Sequence, residues 1–537
     1  MTDTDTDAPA AAAPRRGFLA AIERLGNKLP DPAMIFVWLI LALMVLSVAG
    51  AWLGWSAALP YSGKEAPHWG DLAGGVLTYR ASNLFSAENI GRLLTEMPKT
   101  MTSFAPLGLV MIIALGAAVA ERTGLFSALI RKSLRRAPKA LLTPIVALVG
   151  MAMHHADAAA YLIYVPLAAM TYAAAGRHPL AGLAAAFAAV SGGYVANYTP
   201  GQIDVVLFGF TQEAARIVEP GWTMNPAGNW WFMLTSAFVL APVIWALTDK
   251  VIEPRLGTWN DAASNDAAVE LARTALSPAE ETGLRRAGIA LLAVIALYVA
   301  LTLVPGYSPL VAPDGAGAAR YQPLFGALVA GFFLVFLLTG IAFGSATGTI
   351  KRSRDVIDMM EEGLRSIAPY LVFVFFAAHF VAMFNWSRLG PIVAINGAEV
   401  LAALELPAPL LLVSVQMFGS ALDLFIGSAS AKWSAMAPVV VPMFMLLGIS
   451  PEMTTAAYRM GDSYTNIMTP LMTYFPVILI YAQRWDKNYG VGSLLALMLP
   501  YALTFMVIGI AMVVGWVALD LPLGPGAEVY YARPGGG

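Results

Sequence analysis

The chain has 537 residues, of which 58% are hydrophobic and only 12% charged, with a mean hydropathy of +0.68. A soluble domain carries about a quarter charged residues, so this is a polytopic membrane protein. The net charge of −2, with basic residues scattered at span ends, excludes a nucleic-acid surface, and the lack of Cys excludes disulfides, thiolate metal sites and thiol nucleophiles while leaving the redox compartment unmarked.

Residues 1–14 are acidic and Ala/Pro-rich and lack the apolar core of a cleavable signal, so the first span is expected to stay as an anchor. A bilayer crossing needs about 20 apolar residues. Nine runs qualify, at 33–55, 104–120, 179–200, 229–249, 287–305, 322–343, 369–386, 461–482 and 491–517. Two more segments, 139–174 and 408–447, are long enough to enter and return, and each is broken midway by small and polar residues. They read as re-entrant hairpins. Basic residues test this count, because cytoplasmic loops collect Lys and Arg. Arg15, Arg16, Arg24 and Lys28 precede the first span; Arg131, Lys132, Arg135, Arg136 and Lys139 follow the second; Arg177, Lys250, Arg255, Arg285, Arg286, Lys351, Arg352, Arg354, Arg365, Arg484 and Lys487 then fall on the same side throughout. The N-terminus and the first hairpin's open end are therefore expected in the cytoplasm, and the C-terminus and the second hairpin's open end outside. The 56–100 loop reads as external and partly amphipathic.

The halves repeat. Phe104-Ala-Pro106 with Thr123-Gly124-Leu downstream is similar to Ile367-Ala-Pro369 with Leu389-Gly390-Pro downstream. The hairpin break near Asp157 answers that near Ala429, and Asn197-Tyr-Thr-Pro200 answers Asn466-Ile-Met-Thr-Pro470. Hairpins entering from opposite sides make the repeats inverted, an architecture of alternating-access carriers. The expected organisation is an N-terminal segment, 1–32; a first span and external loop, 33–103; repeat 1, 104–204; framework spans and cytoplasmic loops, 205–366; repeat 2, 367–482; and a last span with an external C-terminus, 483–537. The fold class is all-α, with about nine transmembrane helices plus two re-entrant hairpins in an inverted repeat.

The chemistry concentrates in four interruptions. The first hairpin breaks at His154-His-Ala-Asp157, and the span after it at Ser191 to Asp204, through Gly192, Gly193, Asn197 and Thr199. The second hairpin breaks between Asp423 and Trp433, around Gly427, Ser430 and Lys432, and the span after it between Arg459 and Pro470, through Asp462, Asn466 and Thr469. Such backbone persists at membrane depth only when buried in protein or facing water. Freed N–H groups suit an anionic substrate and freed carbonyls suit Na⁺. An Asp inside a span costs about 2.5–3.5 kcal/mol on insertion scales, so Asp423 and Asp462 read as functional, Asp204 as a substrate-site candidate, and Asp157 as an ion ligand or a helix cap. Lys432 and Arg459 fit two roles, pairing a substrate carboxylate or snorkelling and balancing Asp462. Trp433 reads as an aromatic wall for a substrate ring. His154 and His155 have no third ligand nearby and read as hydrogen-bonders. No metal site or cofactor is expected beyond Na⁺ or H⁺ as coupling ion.

A phosphate-cradling loop is absent, so energy comes from a gradient. Arg459-Met-Gly-Asp462 lacks the first Gly and the second Asp motif of membrane aspartyl proteases, and neither His-Glu-x-x-His nor Gly-x-Ser-x-Gly occurs. The chain is not read as an enzyme. Saturable, gradient-dependent flux separates a carrier from a channel.

Several ordered motifs carry a family resemblance: Arg24-Leu-Gly-Asn-Lys-Leu-Pro30, Ala120-Glu-Arg-Thr-Gly-Leu125, Gly176-Arg-His-Pro179, Thr248-Asp-Lys-Val-Ile-Glu-Pro-Arg-Leu-Gly257, Phe380-Val-Ala-Met-Phe-Asn-Trp386, Ala437-Pro-Val-Val-Val-Pro-Met-Phe-Met-Leu-Leu-Gly448 and Leu521-Pro-Leu-Gly-Pro525. Together they resemble the p-aminobenzoyl-glutamate transporter (AbgT) family over residues 24 to 525. The resemblance implies nine spans and two hairpins in a homodimer, with an inner core and an outer framework in each protomer. It implies substrate contacts at Asp204, Ser430, Trp433, Pro451, Asp462 and Pro470, to which the residue reading adds Arg459, Asn197 and Asn466, and an ion site at Asp423 and Asp462. The expected function is ion-coupled secondary transport of p-aminobenzoyl-glutamate or related folate-derived aromatic carboxylates across the bacterial inner membrane. The alternative is export of sulfonamide antimetabolites by the same fold.

Overall fold

Asp31 caps the first span by accepting from the Ala33 N–H at 2.8 Å, Pro32 sits in its first turn, and Gly54 at φ +69° ends it, so the helix runs Pro32–Leu53. The computed structural model describes residues 31–60, 70–135, 137–155, 157–259, 261–304, 306–315 and 317–532. Among these, eight continuous helices are long and apolar enough to cross a bilayer: Pro32–Leu53, Ala105–Arg122, Trp230–Leu256, Pro278–Leu303, Ala319–Thr347, Ala368–Trp386, Ala429–Leu446 and Val491–Ala518. Ala429–Leu446 returns beside Ala408–Asp423 as the second hairpin, so seven of the eight are whole crossings. Two broken crossings complete the expected nine.

The first broken crossing is Pro179–Phe187, widened into a π turn at Ala188–Gly192, unwound over 193–201, and resumed as Gln202–Ala215. The second is Pro451–Thr465, unwound over 466–474, then Phe475–Trp485. Sequence placed these crossings at 179–200 and 461–482; the structure corrects them to 179–215 and 451–485, with the break in the middle. Hydropathy missed the outer half of the second because Glu452, Thr454, Thr455 and Arg459 read as loop, yet all of them are buried against other helices.

Both repeats follow one order of elements. Ala105–Arg122 corresponds to Ala368–Trp386, Leu125–Arg135 to Leu389–Ala403, the first hairpin (Leu142–Ala152 and Val165–Ala174) to the second (Ala408–Asp423 and Ala429–Leu446), and broken crossing to broken crossing. The structural match for Thr123-Gly124-Leu125 is Ser387-Arg388-Leu389, not Leu389-Gly390-Pro as the sequence suggested. Gly124 at φ +85° and Arg388 at φ +60° make the same left-handed turn, and a non-glycine holds it in the second repeat. Ala105–Arg122 is the second crossing and Ala368–Trp386 the seventh, so the two run in opposite directions and the repeats are inverted.

Ion pairs and main-chain bonds sort the loops into two faces. Arg131 with Glu280, Arg177 with Asp249 and Glu253, Arg484 with Glu270, and Arg122 with Glu362 join loops that the basic-residue count placed together. On the other face the C-terminal segment returns over the helix starts, Leu523 O accepting from Trp231 N at 2.8 Å and Val529 O from Ser450 N at 3.0 Å. There β1 (Ser56–Pro60), β2 (Asp71–Ala73) and β3 (Val76–Arg80) of the 56–100 loop form a small antiparallel sheet in the order β1-β3-β2, followed by the helix Ala87–Thr95. Among the described residues the regular structure is thus helical apart from this sheet and two isolated bridges, Ile449 with Tyr530 and Gly524 with Ala527.

Candidate functional site

Each hairpin tip meets the unwound stretch of its own repeat, His155 reaching Thr199 in the first and Thr469 and Leu471 lying against Leu424 and Gly427 in the second, and its return arm meets the far half of the other broken crossing. Gly427 permits this at the second tip, since a Cβ there would lie 2.7 Å from the Leu471 carbonyl oxygen. Small residues at that contact follow from the closeness of the backbones.

Inside the second tip, the Lys432 ammonium reaches both Asp423, at the end of the entering arm, and Asp462, on Pro451–Thr465. All three side chains are 0–1% exposed, so none snorkels. Asn466 donates to Asp462 Oδ2 at 3.2 Å, and Asp423 Oδ2 has no hydrogen-bond partner among the described residues. Two carboxylates facing one ammonium leave one negative charge over, and a buried charge must be offset by a bound cation or a proton.

A second ion pair lies about one turn away on the same helix. Arg459 pairs with Asp204, donates to Tyr194 O at 3.4 Å and contacts Met233 Sδ at 3.2 Å. Asp204 also accepts from Gly201 N at 2.5 Å, so it caps the resumed half of the first broken crossing. Arg459 does not balance Asp462, as one sequence reading had it. Residues three apart on a helix diverge by about 60°, and here each finds a different partner. Ser463 stitches the repeats, accepting from Val195 N at 2.8 Å and donating to Arg459 O at 2.8 Å.

Trp433 is 0% exposed, stacked on Tyr458 at 4.4 Å with rings 20° apart, and its Nε1 donates to Thr211 Oγ1 at 2.8 Å. Its indole is packed inside protein rather than set as an open wall. Ser430 is half-buried at the tip, 3.4 Å from Ser428 Oγ. Asn197 Oδ1 accepts from Tyr198 N at 2.8 Å within the first unwound stretch. Pro451 starts the second broken crossing behind the Ser450 cap, and half-buried Pro470 lies in its unwound stretch. Asp157 opens the turn Asp157–Ala159, and its side chain lies outside the described residues. His154 and His155 are hydrogen-bonders as expected, to Val190 O at 2.9 Å and Thr199 Oγ1 at 3.0 Å. Among the described residues no three His, Asp or Glu side chains are placed to hold a metal.

The sequence reading gave Lys432 no fixed partner and did not single out Thr211 or Tyr458. A Lys in the break of an apolar hairpin, nine residues from Asp423, was the available signal, as was Thr211, two helical turns beyond Asp204.

Comparison with known proteins gives this arrangement its context. The family model for AbgT transporters matches residues 17–531. The p-aminobenzoyl-glutamate transport protein of Escherichia coli K12 is 35% identical over 505 residues, 94% of this chain and 95% of the relative. The Alcanivorax borkumensis YdaH transporter, whose crystal structure is described as having an unusual topology, superposes with a TM-score of 0.83 at 38% identity, covering 92% of this chain and all of its own. Neisseria gonorrhoeae MtrF, described as illuminating a class of antimetabolite efflux pumps, superposes with a TM-score of 0.86 at 39% identity, covering 95% of this chain and all of its own. This chain, a multi-pass membrane protein and a transporter rather than an enzyme, belongs to the AbgT family.

Proposed function

We propose that the protein is an ion-coupled secondary transporter of p-aminobenzoyl-glutamate, or of related folate-derived aromatic carboxylates, across the bacterial inner membrane. The observation that carries this reading is the closed Asp423–Lys432–Asp462 cluster, where the second hairpin meets a broken crossing. Its surplus negative charge suits Na⁺ or H⁺ as the coupling ion, with Asp157 a further ion candidate at the other tip. A cation taken up there competes with Lys432 for the carboxylates and so loosens the hairpin from Pro451–Thr465. Substrate meets the half-buried Ser430, the unwound stretches with Asn197, Asn466 and Pro470, the helix starting at Pro451, and the Arg459–Asp204 pair. The substrate class is supported by the name of the E. coli relative. The description of MtrF as an antimetabolite efflux pump supports a second direction, export of sulfonamide-type compounds by the same machine. The face bearing Arg131, Arg177 and Arg484 is taken as cytoplasmic with the N-terminus, and the working unit as a homodimer.

The test is uptake of labelled p-aminobenzoyl-glutamate into proteoliposomes, with Na⁺ and H⁺ gradients imposed separately and Asp462→Asn as control. Saturable uptake that one gradient drives and the variant loses is expected; flux indifferent to both gradients defeats the reading. The absence of Cys makes orientation simple to check. Single cysteines introduced at Lys132 and Asp520 are expected to label from opposite sides, and crosslinking measures the oligomer.

A further inference from the structure

Away from the Asp423–Lys432–Asp462 cluster, the first hairpin and the first broken crossing enclose a cavity of about 190 Å³, bounded by His154, Tyr161, Val190, Tyr194, Gln202 and Val206 among others. Pockets for whole drug-sized ligands run to about 300–1,000 Å³, so this one holds a single ring with its substituent and not an entire aminobenzoyl-glutamate. Two of its walls are aromatic and held in place. Tyr161 stacks on Tyr474 of the second unwound stretch at 4.3 Å with rings 11° apart, and Tyr194 meets the His154 ring edge-on at 6.0 Å. The remaining lining is mostly apolar.

Beside the two tyrosines, the polar side chains lining this cavity are His154 and Gln202. His154 Nε2 lies 2.9 Å from the Val190 carbonyl, which can only accept, so Nε2 carries the proton and Nδ1 is left as an acceptor. That Nδ1 has no partner, and the Gln202 amide makes no hydrogen bond among the described residues. An acceptor and an amide beside aromatic walls fit a planar ring bearing a neutral N–H donor. The cavity also borders the ion pair: Arg459 donates to the carbonyl of Tyr194, and Gln202 lies two residues before Asp204. Trp433, by contrast, is 0% exposed behind Tyr458 and Thr211.

We propose that this cavity seats the arylamine ring of the substrate, its amino group donating to His154 Nδ1 and Gln202, with Tyr161 and Tyr194 as the aromatic walls. The proposal rests on the aminobenzoyl reading and names the part of the protein that reads the ring. It also accounts for one machine serving both aminobenzoyl acids and sulfonamides, since the two share the arylamine.

The test uses the full-length protein in nanodiscs and two probes, p-aminobenzoyl-glutamate and benzoyl-glutamate, which lacks the amine. Wild type is expected to bind the amine-bearing probe about tenfold more tightly, the scale of one hydrogen bond left unmade. His154→Phe keeps a ring in place and is expected to erase that preference, whereas Ala160→Leu, at the cavity wall, weakens both probes alike. Undiminished preference in His154→Phe overturns the proposal. Should that variant fail to fold, photolabelling of wild type with 4-amino-3-azidobenzoyl-glutamate, which keeps the amine, decides. Adducts at 153–161 or 190–206 that p-aminobenzoyl-glutamate competes away support the cavity, and adducts at 428–436 or none that compete overturn it. Uptake by wild type with labelling elsewhere removes the cavity and leaves the carrier reading standing; no uptake and no binding remove both.

Discussion

At the tip of the second hairpin, Lys432 lies between Asp423 and Asp462, whereas at the tip of the first, His154 and His155 reach only a carbonyl and a hydroxyl. The open ends reverse the pattern. The first hairpin is tied at its base by Arg177, whose guanidinium lies 4.4 Å over the Tyr172 ring, donates to Thr143 Oγ1 at 2.9 Å and pairs with Asp249 and Glu253. No ion pair holds the base of the second hairpin among the described residues. Among the described residues, the duplicated scaffolds thus carry their ion pairs at opposite ends. A hairpin anchored at its base by ion pairs is suited to staying put; one whose tip closes on buried ions is suited to opening when an ion changes the charge there. The two motifs Gly176-Arg-His-Pro179 and Thr248 to Gly257, distant in sequence, turn out to be the two halves of the base lock.

Stripping the charge from the second tip is expected to have the largest effect. Lys432→Met leaves two buried carboxylates facing each other without compensation and is expected to lower stability by about 3–5 kcal/mol and abolish uptake. Adding Asp462→Asn to it should recover part of the stability, read by thermal melting, and none of the transport. If the single variant melts like the parent, the cluster is not closed as described. Arg459→Met ranks next. It strands Asp204 against the first unwound stretch and is expected to lose about 3 kcal/mol, which Arg459→Met with Asp204→Asn largely restores. A double variant no more stable than the single would mean the pair does not join the repeats.

Much of this architecture was legible. Apolar runs, Lys and Arg placement and the repeated Ala-Pro and Asn-Pro landmarks are local signals, and they carry nine crossings, two hairpins and the inversion. What escaped is pairing. Whether Arg459 answers Asp462 or Asp204 depends on how a helix is rotated against elements more than 200 residues away, and no spacing encodes that. Burial misled in the same way. Trp433 beside a Gly/Ser/Ala tip looks open, and only the packing of Tyr458 against it shows that it is closed. Polar helices such as Pro451–Thr465 read as loops because their partners, too, come from distant segments.

The base lock gives a smaller effect, because Arg177, Asp249 and Glu253 remain 18–31% exposed and solvent screens them. Arg177→Met is expected to lose about 2 kcal/mol and to raise amide hydrogen exchange along Leu142–Ala152, with exchange in Ala408–Asp423 unchanged. Equal loosening of both hairpins would erase the difference between their bases.

The smallest expected effect is also the one that decides which tip reads the ring. Trp433→Phe removes the Nε1 bond to Thr211 but strands nothing, since the Thr211 hydroxyl still lies 2.9 Å from Leu207 O and 2.8 Å from Thr455 Oγ1. A Phe retains a face on Tyr458, so the loss should be about 1–2 kcal/mol, one hydrogen bond and a small void. Its effect on the KM for p-aminobenzoyl-glutamate should fall below that of His154→Phe, because an indole packed on both sides has no face to offer a substrate. The reverse order, with Trp433→Phe raising KM more than His154→Phe in equally folded protein, would put the aromatic contact at the charged tip and make the two hairpins partners in one site rather than divided between ring and ion.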